Sequence, residues 1–230
     1  MLCTQINMKI LKTQKLFYGK WAYKVSIRFR GAHLVRFYGT DILIRRFENP
    51  SDNFHYHGFK PGELEELERC TRLVHELQGV KNIKYRYEAN MINIFTDTTE
   101  MYDKLRTMFF SNIKEVWEPT DISEVEYLKD NINNVIVDFL PHKKYRYKVT
   151  LKYSTPHHVK DALVKWIDGN TPTVKTSKST MRFLFSTSYI QSPFIYVEDS
   201  KTLLFLQLIA GDQIKKTEKF ILRSDINNTK

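Results

Sequence analysis

YKVSIRF, Tyr23 to Phe29, returns almost unchanged as YKVTLKY, Tyr147 to Tyr153. In each copy an apolar pair, Val25 and Ile27 or Val149 and Leu151, alternates with polar or basic residues. That is the period of a strand with one buried face. Basic and aromatic residues precede both copies: Phe17, Tyr18, Lys20 and Trp21 in the first, Lys143, Lys144, Tyr145 and Arg146 in the second. The two stretches are therefore read as the opening strands of two equivalent units.

Around the first copy, Met1 to Leu16 alternate only weakly and fit either a leading strand or an arm. Beyond Gly31, HLVRFYG and TDILIRRF read as extra strand or short helical material, ending at the turn signal Asn49-Pro50-Ser51-Asp52-Asn53. A helix follows: Pro61 suits its first turn, Glu63, Glu65 and Glu66 its positive end, and Leu64, Leu67, Leu73, Val74 and Leu77 one face before Gly79. IKYRYE and MINIFTD then pair as a hairpin around Ala89-Asn90. Asp97 or Thr98 caps a second helix carrying Met101, Leu105, Met108 and Phe109 on one side, and IKEVWEP closes the unit as a strand.

The second unit follows the same order. An acidic connecting segment, TDISEVEYLKDNINNVIVDFLP, leads to the second YK strand. PHHVKDALVKWIDGN reads as a helix, TMRFLFS and PFIYVED as strands, SKTLLFLQLIAG as a helix capped by Asp199 or Ser200, and IKKTEKFIL as the final strand. The YK strands lie 124 positions apart, but Asp97 and Asp199 only 102. Roughly twenty extra residues therefore belong to the first unit, and Gly31 to His57 holds them best. The expected domains are residues 1–125, with an insertion at about 31–57, and residues 126–230.

A length of 230 residues accommodates two units of ordinary size, and 42% hydrophobic content with 13% aromatic residues supplies packed cores. With 36 Lys and Arg against 26 Asp and Glu the net charge is +10, which concentrates anions, nucleic acid among them, at the surface. Cys3 and Cys70 are too few for a disulfide framework or a metal set, which suits a reducing compartment. No apolar run approaches the about 18 residues that span a bilayer, and no secretion signal opens the chain. A cytoplasmic protein without a membrane partner is expected. Abundant Asn, Lys and Ile with scarce Gly and Ala suggest an AT-rich genome, such as that of a virus, phage or mobile element.

The βαββαβ order resembles the ferredoxin-like split βαβ fold, in which a four-stranded antiparallel sheet carries both helices on one face. That resemblance implies an α+β chain of two tandem ferredoxin-like units with antiparallel sheets. Within this fold, RNA-recognition domains use the helix-free sheet face, and two units in tandem also look like the repeat-associated RNA-binding proteins of CRISPR systems. Two departures stand out. Neither Met91 to Asp97 nor Phe194 to Asp199 carries the aromatic third-strand pattern of RNA-recognition domains, and the C-terminal part offers only Gly211 where processing endonucleases have a glycine-rich loop.

Single-stranded nucleic acid is held by cations along its phosphates and by rings on which bases stack. Residues of that kind are Tyr18, Lys20, Trp21, Lys24, Arg28 and Arg30, joined by Lys84, Tyr85, Arg86 and Tyr87. The second unit offers Lys143, Lys144, Tyr145, Arg146, Lys148 and Lys152, with Arg182 opposite. Alternation places Lys24, Ser26, Arg28 and Arg30 on one face of the strand and Val25, Ile27 and Phe29 on the other. Trp21, Tyr85, Tyr87 and Tyr145 are the expected stacking rings. The bland alternative is a solvated, Lys-rich sheet face.

Two other functions compete. His55-Tyr56-His57 has the His-hydrophobic-His form by which replication nickases hold a metal, with Tyr102 the best-placed helical nucleophile. Against it, Gly58, Lys60, Pro61 and Gly62 follow at once, where that family has a strand. A metal-independent ribonuclease using a histidine is the other enzymatic form. Alternatively, the chain is an assembly protein that pairs with a protein partner or with itself. Phosphate loops, paired-cysteine zinc spacing and nucleophile elbows are absent, so no cofactor and no resident metal are expected. Asp97 and Asp199 read as helix caps. The expected ligand is RNA or single-stranded DNA, bound without cleavage.

Overall fold

The structure is a computed structural model that describes residues 8–49, 58–186 and 192–227. The chain divides at Lys129 and Asp130 into two compact units. The first holds β1 (Lys9–Thr13), β2 (Tyr23–Arg28), β3 (Ile83–Glu88), β4 (Met91–Thr96) and β5 (Ile113–Pro119) in the sheet order β1-β5-β2-β4-β3. The second holds β6 (Asn134–Val137), β7 (Tyr147–Leu151), β8 (Val174–Thr176), β9 (Phe194–Val197) and β10 (Ile214–Leu222) in the order β6-β10-β7-β9-β8. The two orders are the same when read from the leading strand of each unit. The protein is thus an α+β chain of two five-stranded sheets with helices.

Both sheets are mixed rather than antiparallel as expected. Three pairings in each sheet are antiparallel, but β1 runs parallel to β5 and β6 parallel to β10. The weakly alternating leader of the first unit and the NVIV end of the connecting segment supply these edge strands. Each carries enough apolar residues, Leu11 or Val135 and Val137, to pair with the free edge of the closing strand.

In the first unit, α1 (Ala32–Tyr38) and α2 (Thr40–Glu48) occupy the expected insertion, which is helical as far as it is described. Gly31 permits the turn into α1: its φ is +85°, and an added Cβ would meet the Phe59 ring at 2.8 Å. Next, α3 (Pro61–Glu76) begins at its proline, with the Glu63 carboxylate accepting the Lys60 backbone N–H at 2.9 Å. Thr98 caps α4 (Thr99–Met108) and Asp199 caps α8 (Ser200–Ala210), each through the amide three residues on. The acidic segment between the units forms α5 (Ser123–Asp130), which buries Val125 and Leu128.

The second unit departs from its sequence reading at a further place. TMRFLFS is not a strand: it lies in α7 (Lys178–Phe185), and the second core strand is the shorter β8 before it. Ser177 caps α7 by accepting the Thr180 N–H at 3.0 Å, and Thr180, Phe183 and Leu184 form its buried face at helical spacing. The helix α6 (His157–Gly169) stands where expected, and the short α9 (Arg223–Asn227) follows β10. Each unit therefore carries its own insertion. Among the described residues no helix is long and apolar enough to cross a membrane.

Both faces of each sheet are covered. On one face Val25, Ile27, Ile92 and Ile94 lie fully buried with Leu67, Val74 and Leu105 of the helices. The other face of the first sheet carries Lys24, Ser26, Asn93, Phe95 and Trp117, paired across β2, β4 and β5. The segment between β1 and β2 lies against it. Phe17 meets Phe95 at 5.5 Å and Trp117 at 6.1 Å, and Tyr18 stands edge-on to Phe95 at 5.1 Å. Beneath, Ser26 donates to Asn93 at 2.7 Å in a buried contact.

In the second unit the segment between β6 and β7 has the same place. Val135, Val137 and Phe220 form a small core with Leu140, Tyr196 and Leu222, and Tyr145 stacks on Tyr196 at 6.1 Å. This core is separate from the helix-side cluster of Val149, Leu163, Ile195 and Leu206.

Phe95 tests the covering directly, because it is 3% exposed although no helix lies on its side. Phe95→Ala is expected to cost about 3–5 kcal/mol in urea unfolding, as for a core phenylalanine. A loss below about 1 kcal/mol would show that this face is open to water.

Candidate functional site

The two covering segments correspond position by position. LFYGKWAYK, Leu16 to Lys24, matches LPHKKYRYK, Leu140 to Lys148, at the spacing of the YK strands. Both contain two successive residues with positive φ, Tyr18 and Gly19 at 54° and 68°, His142 and Lys143 at 50° and 66°. That left-handed pair turns the chain back over the sheet. Three residues after its first member comes a buried ring, Trp21 (7% exposed) or Tyr145 (4%). The preceding lysine lies over that ring, Lys20 at 4.4 Å and Lys144 at 5.1 Å from the centroid.

Pairing across the strands sorts the expected binding residues. Lys24, Lys84 and Arg86 share the helix-free side with Phe95 and Asn93, whereas Tyr85 and Tyr87 stand opposite Ile94 and Ile92 on the helix side. The four-residue set Lys84 to Tyr87 is thus divided between two faces. The Tyr85 hydroxyl donates to the Leu77 carbonyl at 2.8 Å at the end of α3, and burial pushes its pKa up to about 12. Burial likewise raises the pKa of Tyr87.

Of the expected stacking rings, Trp21 and Tyr145 are enclosed, and Tyr85 and Tyr87 turn toward the helices. On the covering segment of the first unit the ring that faces solvent is Tyr18, 54% exposed, and on that of the second unit Phe139 is exposed. Lys84 Nζ lies 4.7 Å from its centroid and Arg86 Nη1 donates to its hydroxyl at 3.2 Å. The Arg86 Nε pairs with Glu88 at 2.6 Å, on the edge strand. Two cations therefore flank one exposed ring, brought together from β3 and from a turn more than sixty residues earlier.

Elsewhere the basic set is partly neutralised. Lys24 pairs with Glu115 at 3.3 Å and lies 5.6 Å from the Trp117 ring. Arg30 lies beyond the end of β2 rather than on its polar face, pairing with Glu63 at 2.6 Å and resting on Phe59 at 4.9 Å. Arg28 is exposed at the end of β2, opposite Met91.

In the second unit Lys144 pairs with Glu198 at 3.1 Å and Arg146 with Asp225 at 3.8 Å. Lys148 lies over Phe194 at 4.5 Å, and Lys143 is exposed in the turn. Lys152 falls just past β7, where its N–H donates to the Gln213 carbonyl. Arg182 lies on α7 and not on a strand opposite these lysines, because the segment is helical.

The enzymatic alternative needs a reactive tyrosine. Tyr102 is buried, stacked on Tyr23 at 4.8 Å, and its hydroxyl donates to Glu118 at 3.1 Å. Burial, and then the Glu118 charge, push its pKa well above the ordinary range, which opposes formation of a phenolate. Glu118 itself is held below the usual carboxylate range, chiefly by the Lys12 hydrogen bond. His55 and His57 lie outside the described residues. No group of three metal-ligating side chains occurs among the described residues. No known protein family, curated protein or solved structure matches the chain.

The placement of Tyr85 has a measurable consequence. Its raised pKa means that its contribution to stability is complete below the unfolded value near 10 and is lost as pH climbs toward about 12. Tyr85→Phe should remove a phenolate absorbance step near pH 12, cost about 0.5–1.5 kcal/mol through the lost hydrogen bond, and leave oligonucleotide affinity unchanged. A drop in affinity would return Tyr85 to the binding surface.

Proposed function

We propose that the chain binds single-stranded nucleic acid, RNA or DNA, on the outer surface of its covering segments. The observation that carries this is the exposed Tyr18 ring with Lys84 and Arg86 against it. A ring accessible to a base, with cations beside it for the adjoining phosphates, is the elementary unit of single-strand binding. The +10 net charge adds a long-range attraction. Lys20, Arg28, Lys143, Lys148 and Lys152 extend the cationic surface in each unit, and the phosphate contacts are independent of sequence.

Each unit is read as a ferredoxin-like module with one strand added. Supporting this, β5-β2-β4-β3 and β10-β7-β9-β8 follow the split βαβ order and are antiparallel throughout. The added strand and its covering segment distinguish both units from RNA-recognition domains, which leave the same sheet face bare. Two such modules in one chain raise avidity for a strand long enough to reach both. A cytoplasmic, virus- or mobile-element-encoded binder remains the setting the composition favours.

Fluorescence polarisation with a labelled single-stranded oligonucleotide tests this. Tyr18→Ala should weaken binding by about 1–3 kcal/mol, and Lys84→Ala should lower the magnitude of the slope of log affinity against log salt by about 0.7. Affinity that is unchanged between low and moderate salt, or in Tyr18→Ala, would overturn the proposal.

A further inference from the structure

The helix α7 has no counterpart in the first unit, where β3 and β4 are joined by the tight turn Ala89-Asn90. On α7, Lys178 and Arg182 stand four residues apart, as do Met181 and Phe185, so two cations adjoin two apolar side chains on one helix surface. Together with Thr176, Ser177 and Ser186 they line a cleft of about 530 Å³. The cleft is open to solvent, and its volume is enough to seat a ligand the size of one nucleotide against the helix. Phe185 is 69% exposed, a large ring left at the surface of a helix only eight residues long.

The charge around this cleft is unopposed. No Asp or Glu occurs between Asp168 and Glu198, a stretch that carries Lys175, Lys178 and Arg182. Among the described residues neither Lys178 nor Arg182 forms an ion pair. A third cation lies behind them. Lys160 of α6 is 5% exposed, with its Nζ 4.0 Å from the Phe183 centroid, and it donates to the Ser186 carbonyl at 3.1 Å. Among the described residues it too has no carboxylate partner. A buried ammonium with no counter-ion is costly, and it leaves a positive field at the Ser186 end of the cleft.

We propose that the α7 cleft binds a nucleotide, its phosphate between Lys178 and Arg182 and its base laid on Phe185 beside Met181. Unpaired cations select an anion, and an adjoining exposed ring selects an anion joined to a flat apolar group. The choice of a nucleotide among such ligands rests on the reading of the chain as a nucleic-acid binder. A free nucleotide and one unit of a strand present the same chemistry, and the test separates them.

Isothermal titration of the full chain with adenosine monophosphate, adenosine and inorganic phosphate measures this directly. One-to-one binding of the monophosphate is expected, with adenosine and phosphate each weaker by at least about tenfold. Arg182→Ala and Phe185→Ala should each weaken the monophosphate by about tenfold or more with an unchanged circular dichroism spectrum, while the Lys84→Ala, Arg86→Ala double variant binds it like the unaltered chain. Competition by a single-stranded oligonucleotide in that double variant assigns the cleft to a strand. Absence of competition assigns it to the free nucleotide, and either result sustains the cleft.

Monophosphate binding no tighter than phosphate, or unaffected by Arg182→Ala, overturns the proposal. A null result here leaves the Tyr18 titrations standing, and failure of those titrations leaves the monophosphate result standing, so the two readings fail separately.

Discussion

The segment that leaves each edge strand must return across the helix-free side of the sheet before it can enter the first core strand. This constraint governs the chemistry of both units. Without it, Phe95 and Trp117 in one unit, or Tyr196 and Phe220 in the other, would stand in water on a surface that no helix covers. With it, Phe17 and Tyr18 or Leu140 and Tyr145 bury Phe95 and Phe220 and half-bury Trp117 and Tyr196, and the face becomes a second, thinner core. Burial of several aromatic rings contributes roughly 25 cal/mol per Å² of apolar area removed from water, enough to hold a short segment in place. The left-handed pair at the bend supplies the change of direction.

One consequence concerns where a ligand can lie. A bare sheet would offer its strands to a partner, as the polar alternation of YKVSIRF suggests. Here that alternation points Lys24 at Glu115 and Trp117 under a covering layer, so the strand is structural, and the accessible surface is the outside of the layer above it. The exposed ring and its cations are then assembled from a turn and an edge strand, both rigidly placed by the sheet. A basic composition alone does not produce such a site, since several of the cations are already bound to carboxylates on their own unit.

Much of the fold was legible in the sequence because it rests on local periodicity. Val25 with Ile27, the Pro61 start of α3, and the caps at Thr98 and Asp199 each carry their own signal. The rest of the fold is decided by tertiary pairing. The leaders became parallel edge strands through pairing with the closing strands, which no local pattern encodes. TMRFLFS looked like a strand because it is apolar and aromatic, but Ser177 with the spacing of Thr180, Phe183 and Leu184 was the helix signal to be weighed against it. For the site, Tyr85 and Tyr87 alternate with Lys84 and Arg86, so the four could not share one face. The exposure of Tyr18 follows from the bend at Gly19, which composition does not reveal.

Ultraviolet crosslinking of a bound single-stranded oligonucleotide, followed by peptide mapping, tests most directly whether the covering layer is the ligand surface. Crosslinks to the peptide containing Tyr18, and none to those containing Phe95 or Trp117, are the predicted outcome. Crosslinks concentrated on Phe95 and Trp117 would mean that the layer lifts away to bare the sheet, and would contradict the account.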